Sequence, residues 1–375
     1  MEVLIFIVVL VVLILVHELG HFIVAKLSGM RVEEFGIGYP PRALTIGKLG
    51  DTLYTLNWLP FGGFVRIYGE EGENGEEPPA EGEKSRAFNS KPFILKALVL
   101  LAGIAMNLVF AWALFLTTLA LGTEQVLTQA QSYTVKDATI ALAAVRPGSP
   151  ADKAGFLPGD EIKNSVLPMK GLAESYNGAD PAAFSTLVAM DASGTPMQFT
   201  VNRNGKTIHI TAAPEMKTIP GAPTRPGFGF TISAVGTVKT PLKDVPYQGL
   251  ILTWNVTKET AVALGQFFKG IVTFSANLAE ISGPVGIANA VGQASSNGIS
   301  ALLSLVALIS VNLALVNLIP VPALDGGRLL FVIIEAIIRR PLNPKIADTV
   351  NMVGFALLIL LMIVVTGHDI YSLVK

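Results

Sequence analysis

Residues 3–25 read VLIFIVVLVVLILVHELGHFIVA, and this stretch decides how the chain is built. Roughly 20 apolar residues suffice to cross a bilayer as a helix. Ionisable groups inside such a span are costly and mark a functional site by default, and here His17, Glu18 and His21 sit together near its end. Their pattern is H-E-x-x-H. On a helix, positions i and i+4 share a face, so His17 and His21 can aim ring nitrogens at one metal ion. Glu18 is placed to reach a water at that ion rather than the ion itself. This is the arrangement of a zinc hydrolase with Glu18 as general base. A polar helix end packed at the membrane interface would explain one histidine but not three ionisable groups.

The composition agrees. Of 375 residues, 51% are hydrophobic and only 15% charged, and the mean hydropathy is +0.55, as in a membrane protein. A net charge of −1 leaves no electrostatic footprint for nucleic acid. With no cysteine there are neither disulfides nor thiolate ligands, so a metal site must be built from His, Asp or Glu. The first span lacks the basic leading residues and the small-x-small cleavage site of a secretion signal. Lys26 and Arg31 follow the span, which places the N-terminus outside the cell and the motif near the cytoplasm.

The first segment, 1–28, is therefore transmembrane helix 1. Residues 29–90 are a loop-rich cytoplasmic segment. Within it, TLYTLNWLPFGGFVRIYGE (52–70) alternates apolar and polar residues on either side of Pro60 and Gly62-Gly63, which predicts a β-hairpin or looped strands. Its aromatic residues either form a small core or dip into the membrane, where a strand edge could receive an extended substrate. Residues 70–86 are acidic and rich in Gly and Pro, the composition of a mobile loop. Residues 91–121 hold transmembrane helix 2, Phe93 to Leu121, in which Gly103 and Asn107 lie one turn apart and suit helix packing.

Residues 122–240 have a globular composition. AVRPGSPADKAGFLPGDEI (144–162) reads as strand, turn, short helix, turn and strand, and MQFTVNRNGKTIHITAAP (197–214) reads as a hairpin turning at Asn204-Gly205. RPGFGFTISAV (225–235) is a loop leading into a strand. The succession resembles a circularly permuted PDZ domain. That resemblance implies a carboxylate-binding loop at Gly227, Phe228, Gly229 and Phe230, with a peptide or chain terminus as ligand. A folded spacer that filters substrates by size is the alternative. His209 reads as a strand residue of the hairpin.

Residues 241–297 are expected to hold an amphipathic helix on the outer membrane face or against the spans, followed by a turn and helix at SGPVGIANA (282–290). In 298–345, a third span at about 299–319 ends in NLIPVPALDGGRLLF (317–331), where Pro320 and Pro322 stop the helix. Asp325 then sits in irregular backbone, tolerated at membrane depth only where it lines protein or a wet cavity. Arg328, Arg339, Arg340 and Lys345 mark a cytoplasmic loop, so Asp325 and the histidines share a depth. Two imidazoles and a carboxylate complete the three protein ligands of a catalytic zinc. Residues 346–375 hold transmembrane helix 4, at about 350–365, and a short outer tail with His368 far from the metal.

With these residues in view, the chain resembles the bacterial site-2 proteases, intramembrane zinc metalloproteases of the RseP type. HELGH at 17–21 is similar to the family's H-E-x-G-H. Asn317, Pro320, Pro322 and Asp325 follow its N-x-x-P-x-P-x-L-D-G-G, and Asn312 matches a further asparagine. FGIGYPP, LPFGGFVRIYGE and SGPVGIA match in order. The resemblance implies a multi-pass α-helical membrane protein with about four transmembrane helices, a cytoplasmic-side membrane-associated β-hairpin and an extracytoplasmic α+β PDZ domain. It implies Zn2+ on His17, His21 and Asp325, with Glu18 as base. Asn312, Asn317, Pro320, Pro322, Gly62, Gly63, Phe64 and Val65 would handle substrate. The implied substrates are transmembrane proteins in the bilayer, such as anti-sigma factors or remnant signal peptides. The implied place is the bacterial inner membrane, with both termini extracytoplasmic. The best-known RseP proteins carry two PDZ domains in tandem, whereas 122–240 has room for one. A non-enzymatic scaffold and a metal transporter are the rival classes. An intact ligand set with its base argues against the first, and ionisable groups confined to one depth argue against the second.

Overall fold

The structure, a computed structural model, describes residues 2–70, 84–132, 135, 137–169, 172–190, 194–203, 205–216, 226–273, 283–340 and 342–374. The acidic stretch expected to be mobile falls largely at 71–83, outside the described residues, as do Asn204 of the hairpin turn and Ser282 of SGPVGIA. The chain divides into two compact units. The first comprises 1–117, 244–295 and 301–375, and the second comprises 118–243 with 296–300.

In the first unit, α1 (Glu2–Leu27) is a continuous, largely apolar helix of 26 residues, about 39 Å long at 1.5 Å per residue. Two long strands follow, β1 (Val32–Leu49) and β2 (Thr52–Ile67), paired antiparallel. They fold back on each other: Phe35 lies opposite both Val65 and Tyr54, and Gly36 opposite both Phe64 and Thr55. The start of β1 is thus flanked on two sides by β2, while Arg42–Leu49 pairs with residues 52–57. This differs from a hairpin confined to 52–70. Pro60 and Gly62-Gly63 do not reverse the chain; they are absorbed as a shift in register within one strand, and the partner is the Gly- and Pro-rich run that reads as loop. Pairing skips Pro40-Pro41, which have no amide hydrogens to give. Buried polar groups sew the sheet together. Thr52 Oγ1 donates to the Val32 carbonyl at 2.8 Å. Glu34, only 5% exposed, accepts from Thr55 Oγ1 at 2.7 Å and Arg42 at 3.0 Å.

Helix α2 (Phe93–Leu121) has the predicted bounds. The second unit is antiparallel. Its elements are β3 (Thr123–Val126), α3 (Gln129–Ser132), β4 (Thr139–Val145), α4 (Pro150–Lys153), β5 (Glu161–Met169), β6 (Leu172–Tyr176), α5 (Pro181–Met190), β7 (Met197–Arg203), β8 (Lys206–Ala212) and β9 (Phe230–Val238). The sheet runs β3-β9-β4-β5-β7-β8, with β6 also on β5. Both sequence-read motifs form. Ser149 caps α4, accepting from the Asp152 amide, and β7–β8 close with Arg203 opposite Lys206. His209 is an exposed residue of β8, opposite Thr200. The core of this unit is aromatic, with Phe156, Phe184, Phe199 and Phe228 all at most 3% exposed.

The chain returns to the first unit in α6 (Val245–Val272), α7 (Pro284–Ser296), α8 (Ile299–Leu318), α9 (Asp325–Ile338) and α10 (Pro344–Val374). Of the two positions open to the amphipathic helix, α6 takes the one against the spans: Leu252 and Val256 pack on Ala111, Phe115, Ala307 and Val311. The segment after Pro322 is not a loop; α9 occupies it. Helix α10 continues through the expected outer tail to Val374, where Asp369 accepts from the amides of Gly283 and Gly286 ahead of and within α7. Among the described residues, four helices, α1, α2, α8 and α10, are long and apolar enough to cross a membrane.

Candidate metal centre

Two elements, α1 and α9, bring His17, His21 and Asp325 together. The histidines occupy one face of α1. Asp325 is the first residue of α9, where the positive helix end favours a carboxylate. The turn before it is sterically exact in its demands. The chain turns back over the start of α9 so closely that a Cβ on Gly326 would lie 2.4 Å from the Leu318 and Ile319 carbonyl oxygens, and one on Gly327 2.3 Å from that of Val321. Only glycine fits at either position, which is why the aspartate is followed by two of them. The prolines end α8 as expected, and Asp325 sits in regular rather than irregular backbone.

His17 Nε2 lies 2.8 Å and His21 Nε2 3.2 Å from Asp325 Oδ2, and the two imidazole nitrogens are 3.1 Å apart. Metal–ligand bonds of about 2.0–2.2 Å in a tetrahedron separate neighbouring ligand atoms by about 3.3–3.6 Å, so a small outward shift admits a cation. The second nitrogen of His21, Nδ1, is 2.7 Å from the Val99 carbonyl oxygen. A carbonyl only accepts, so Nδ1 carries the hydrogen and Nε2 presents its lone pair to the centre. Two nitrogens and a carboxylate oxygen are a borderline-soft donor set that fits zinc. Helix α2 comes close enough to close one side. A Cβ on Gly103 would stand 2.5 Å from His21 Nε2 and 2.8 Å from His17 Cε1, so glycine there keeps the centre open.

Glu18 lines a cavity of about 520 Å³ beside the centre, together with His17, Asp325, Tyr39, Asn317 and residues 63–67 of β2. A Cβ on Gly63 would come within 3.7 Å of Glu18 Cγ. Residues 63–67 pair with β1 on one side, and among the described residues their other edge carries no strand. Glu70 and Arg328 form an ion pair of 2.8 Å at the cavity wall. Of the expected substrate residues, Gly63, Phe64, Val65 and Asn317 line the cavity. Gly62 lies beside the Tyr39 ring. Asn312 and Pro320 are exposed, and Pro322 packs against Gly354 of α10; none of these four is part of the cavity lining.

Within the second unit, Gly227, Phe228, Gly229 and Phe230 border a separate cavity of about 450 Å³ between α5 and β9. The Gly227 amide donates to the Glu215 carbonyl at 3.0 Å, and Phe228 points into the core, stacked on Phe230. Three groups beside the metal site escaped the sequence reading, the Val99 carbonyl, Tyr39 and the Glu70–Arg328 pair, and a fourth, Asn107, was read for helix packing alone. Asn107 had a signal, because an amide deep in an apolar helix needs a partner.

The sequence profile described as peptidase family M50 matches residues 5–361. A protein of Clostridium perfringens described as a putative zinc metalloprotease is 36% identical over 96% of this chain and 95% of its own length. One of Brucella suis with the same description is 32% identical over 98% of this chain and 94% of its own. The zinc metalloprotease RasP of Geobacillus kaustophilus is 31% identical over 97% of this chain and 96% of its own.

Proposed function

We propose, from the premise that this chain belongs to peptidase family M50, that it is a membrane-embedded zinc metalloprotease that hydrolyses peptide bonds inside the transmembrane segments of other proteins. The observation that carries this is the convergence of His17, His21 and Asp325 within about 3 Å of one another beside Glu18, the histidines on a helix long and apolar enough to cross a membrane and Asp325 at the start of α9. A zinc ion held there supplies Lewis-acid polarisation of the scissile carbonyl and acidifies a water. The rest is the work of the chain. Glu18, on the cavity wall, takes the proton of the attacking water and returns it to the leaving amine. Gly103 leaves the two imidazoles the room to face the centre.

A transmembrane helix has its carbonyls already hydrogen-bonded, so it must unwind before attack. Residues 63–67 supply what the freed backbone lacks: a strand edge that, among the described residues, pairs with no other strand and runs along the cavity. Phe64 and Val65 would hold the extended segment there, with Asn317 also lining the cavity. The exposed apolar residues of the sheet, among them Leu44, Ile46 and Trp58 at 58–71% exposure, support its insertion into lipid. Membrane-bound anti-sigma factors and remnant signal peptides have the required form.

The second unit is read as a PDZ domain. The groove between α5 and β9 supports a peptide or chain terminus as its ligand, added beside β9. The positively charged residues after α1 and α9 support a bacterial inner-membrane location with both termini outside and the metal centre near the cytoplasmic face.

The test is cleavage of a single-pass protein by the purified enzyme in liposomes, with the cut mapped by mass spectrometry. The expected cut lies within the apolar segment and is abolished by a zinc chelator. Cutting only in soluble flanks, or cutting indifferent to the chelator, would contradict the proposal.

A further inference from the structure

His17 and His21 reach the same centre but are supported differently from behind. The Val99 carbonyl fixes the tautomer of His21. His17 Nδ1 instead lies 3.1 Å from the side-chain amide of Asn107, on α2. Asn107 is fully buried, and it is held by its surroundings: Ser310 of α8 donates to its backbone carbonyl at 2.8 Å. With Nδ2 turned toward His17, its Oδ1 has no hydrogen-bond partner among the described residues, which is a poor arrangement for a buried oxygen.

That orientation has a second fault. An amide NH2 can donate only to an unprotonated Nδ1, so a neutral His17 would carry its hydrogen on Nε2. Nε2 is the nitrogen that faces His21 and Asp325, and with a hydrogen on it there is no lone pair for a cation. For His17 to be a ligand through Nε2, Nδ1 must hold the hydrogen and the group behind it must accept. A half-turn of the Asn107 amide about its Cβ–Cγ bond places Oδ1 where Nδ2 stands and satisfies both conditions. The oxygen and nitrogen of an amide have nearly the same shape, so the rotation displaces nothing.

We propose that Asn107 is a positioning residue of the metal centre: its Oδ1 accepts the Nδ1–H of His17 and fixes the ring in the tautomer that coordinates through Nε2. The side chain does for His17 what the Val99 backbone does for His21. Histidine ligands generally need such a partner, and its loss weakens metal binding by about 10- to 100-fold. The proposal rests on the reading of His17, His21 and Asp325 as metal ligands.

The test is zinc affinity of the purified full chain by competition with a chromophoric chelator, alongside the melting temperature of the zinc-stripped protein. Asn107→Leu keeps the branched shape and removes the acceptor; it should weaken zinc binding about 10- to 100-fold with the zinc-stripped melting temperature unchanged. Asn107→Asp keeps an acceptor oxygen in place and should retain wild-type affinity or exceed it. Should either substitution prevent folding, 15N-histidine NMR of the zinc-loaded wild type decides: His17 must carry its hydrogen on Nδ1. A His17 protonated on Nε2 in that state, or an Asn107→Leu chain that binds zinc as tightly as wild type, overturns the role of Asn107 while leaving the ligand set intact. Failure of the wild type itself to bind zinc overturns both.

Discussion

The interiors of the two units are built on opposite plans. In the second unit the largest side chains are hidden: Phe156, Phe184 and Phe199 are at most 2% exposed. Among the membrane-length helices of the first unit small and polar side chains are hidden beside a few large ones such as Leu13, Val99 and Leu100. Ala111, Ala307, Ala314, Asn107 and Ser310 are all 0% exposed, whereas Ile94, Met352 and Leu357 are 61–67% exposed. The first plan is what water demands, since burying large apolar surface drives the collapse. The second is what lipid allows, since the tails solvate leucine as well as a neighbouring helix does, and association relies on close approach of small residues and on internal hydrogen bonds. The lesson concerns polar groups. In the second unit a buried polar group has bulk water as its competitor. In the helices of the first unit there is none, so a buried His, Asp or Asn that is kept there has a partner or a task.

The largest break in this comparison comes from putting bulk where the first unit keeps space. Gly103→Val places atoms where His21 Nε2 stands, since even a Cβ would lie 2.5 Å from it. The variant should lose bound zinc and all cleavage, read by metal analysis and a liposome assay. A variant with full zinc would mean that α2 does not close the centre. Next come the large residues of each plan. Phe199→Ala removes a buried ring and should cost about 3–5 kcal/mol of the second unit's stability, followed by hydrogen exchange of β7. Leu357→Ala, on the outer face of α10, should change stability by less than about 0.5 kcal/mol in a bilayer-mimicking detergent. Equal costs at the two positions would erase the distinction between the plans.

The smallest effect is electrostatic. Asp51, between β1 and β2, accepts from Arg86, and the guanidinium holds its carboxyl below the usual carboxylate range. A depressed pKa in the folded state adds stability above the unfolded value of about 3.9, and that contribution is lost as pH falls through the folded value. Asp51→Asn should therefore be slightly less stable than wild type near neutral pH and indistinguishable from it in strong acid, with the gap shrinking at high salt. A gap that persists in acid would assign the effect to packing.

The parts that were legible follow the same division. Uninterrupted apolar runs gave α1 and α2 almost to the residue, because nothing but a helix satisfies a backbone in lipid. The histidines with Glu18 stand out because ionisable groups in such a run are rare. In 122–240 ordinary turn chemistry sufficed: Ser149 capped its helix, and β7 and β8 paired up to Arg203 opposite Lys206. The sheet of β1 and β2 was half hidden because its alternation is broken by Gly36, Gly38 and Pro40-Pro41, and its polar residues, such as Glu34 and Thr55, bond to each other inside it. Helix α9 was hidden behind two prolines and three arginines, which read as a loop. Asn107 was visible, but it read as a helix-packing residue until the unpaired Oδ1 and the facing Nδ1 of His17 were seen together.

On the proposed function, a single metal centre, with Glu18 as its base, performs the hydrolysis. This is tested most directly by Glu18→Gln, measured for zinc content and for cleavage of a transmembrane substrate in the same liposomes. The expected result is wild-type zinc with cleavage reduced by about 100- to 10,000-fold, the range that a lost general base entails. Cleavage at the wild-type rate by a zinc-replete Glu18→Gln protein would contradict it.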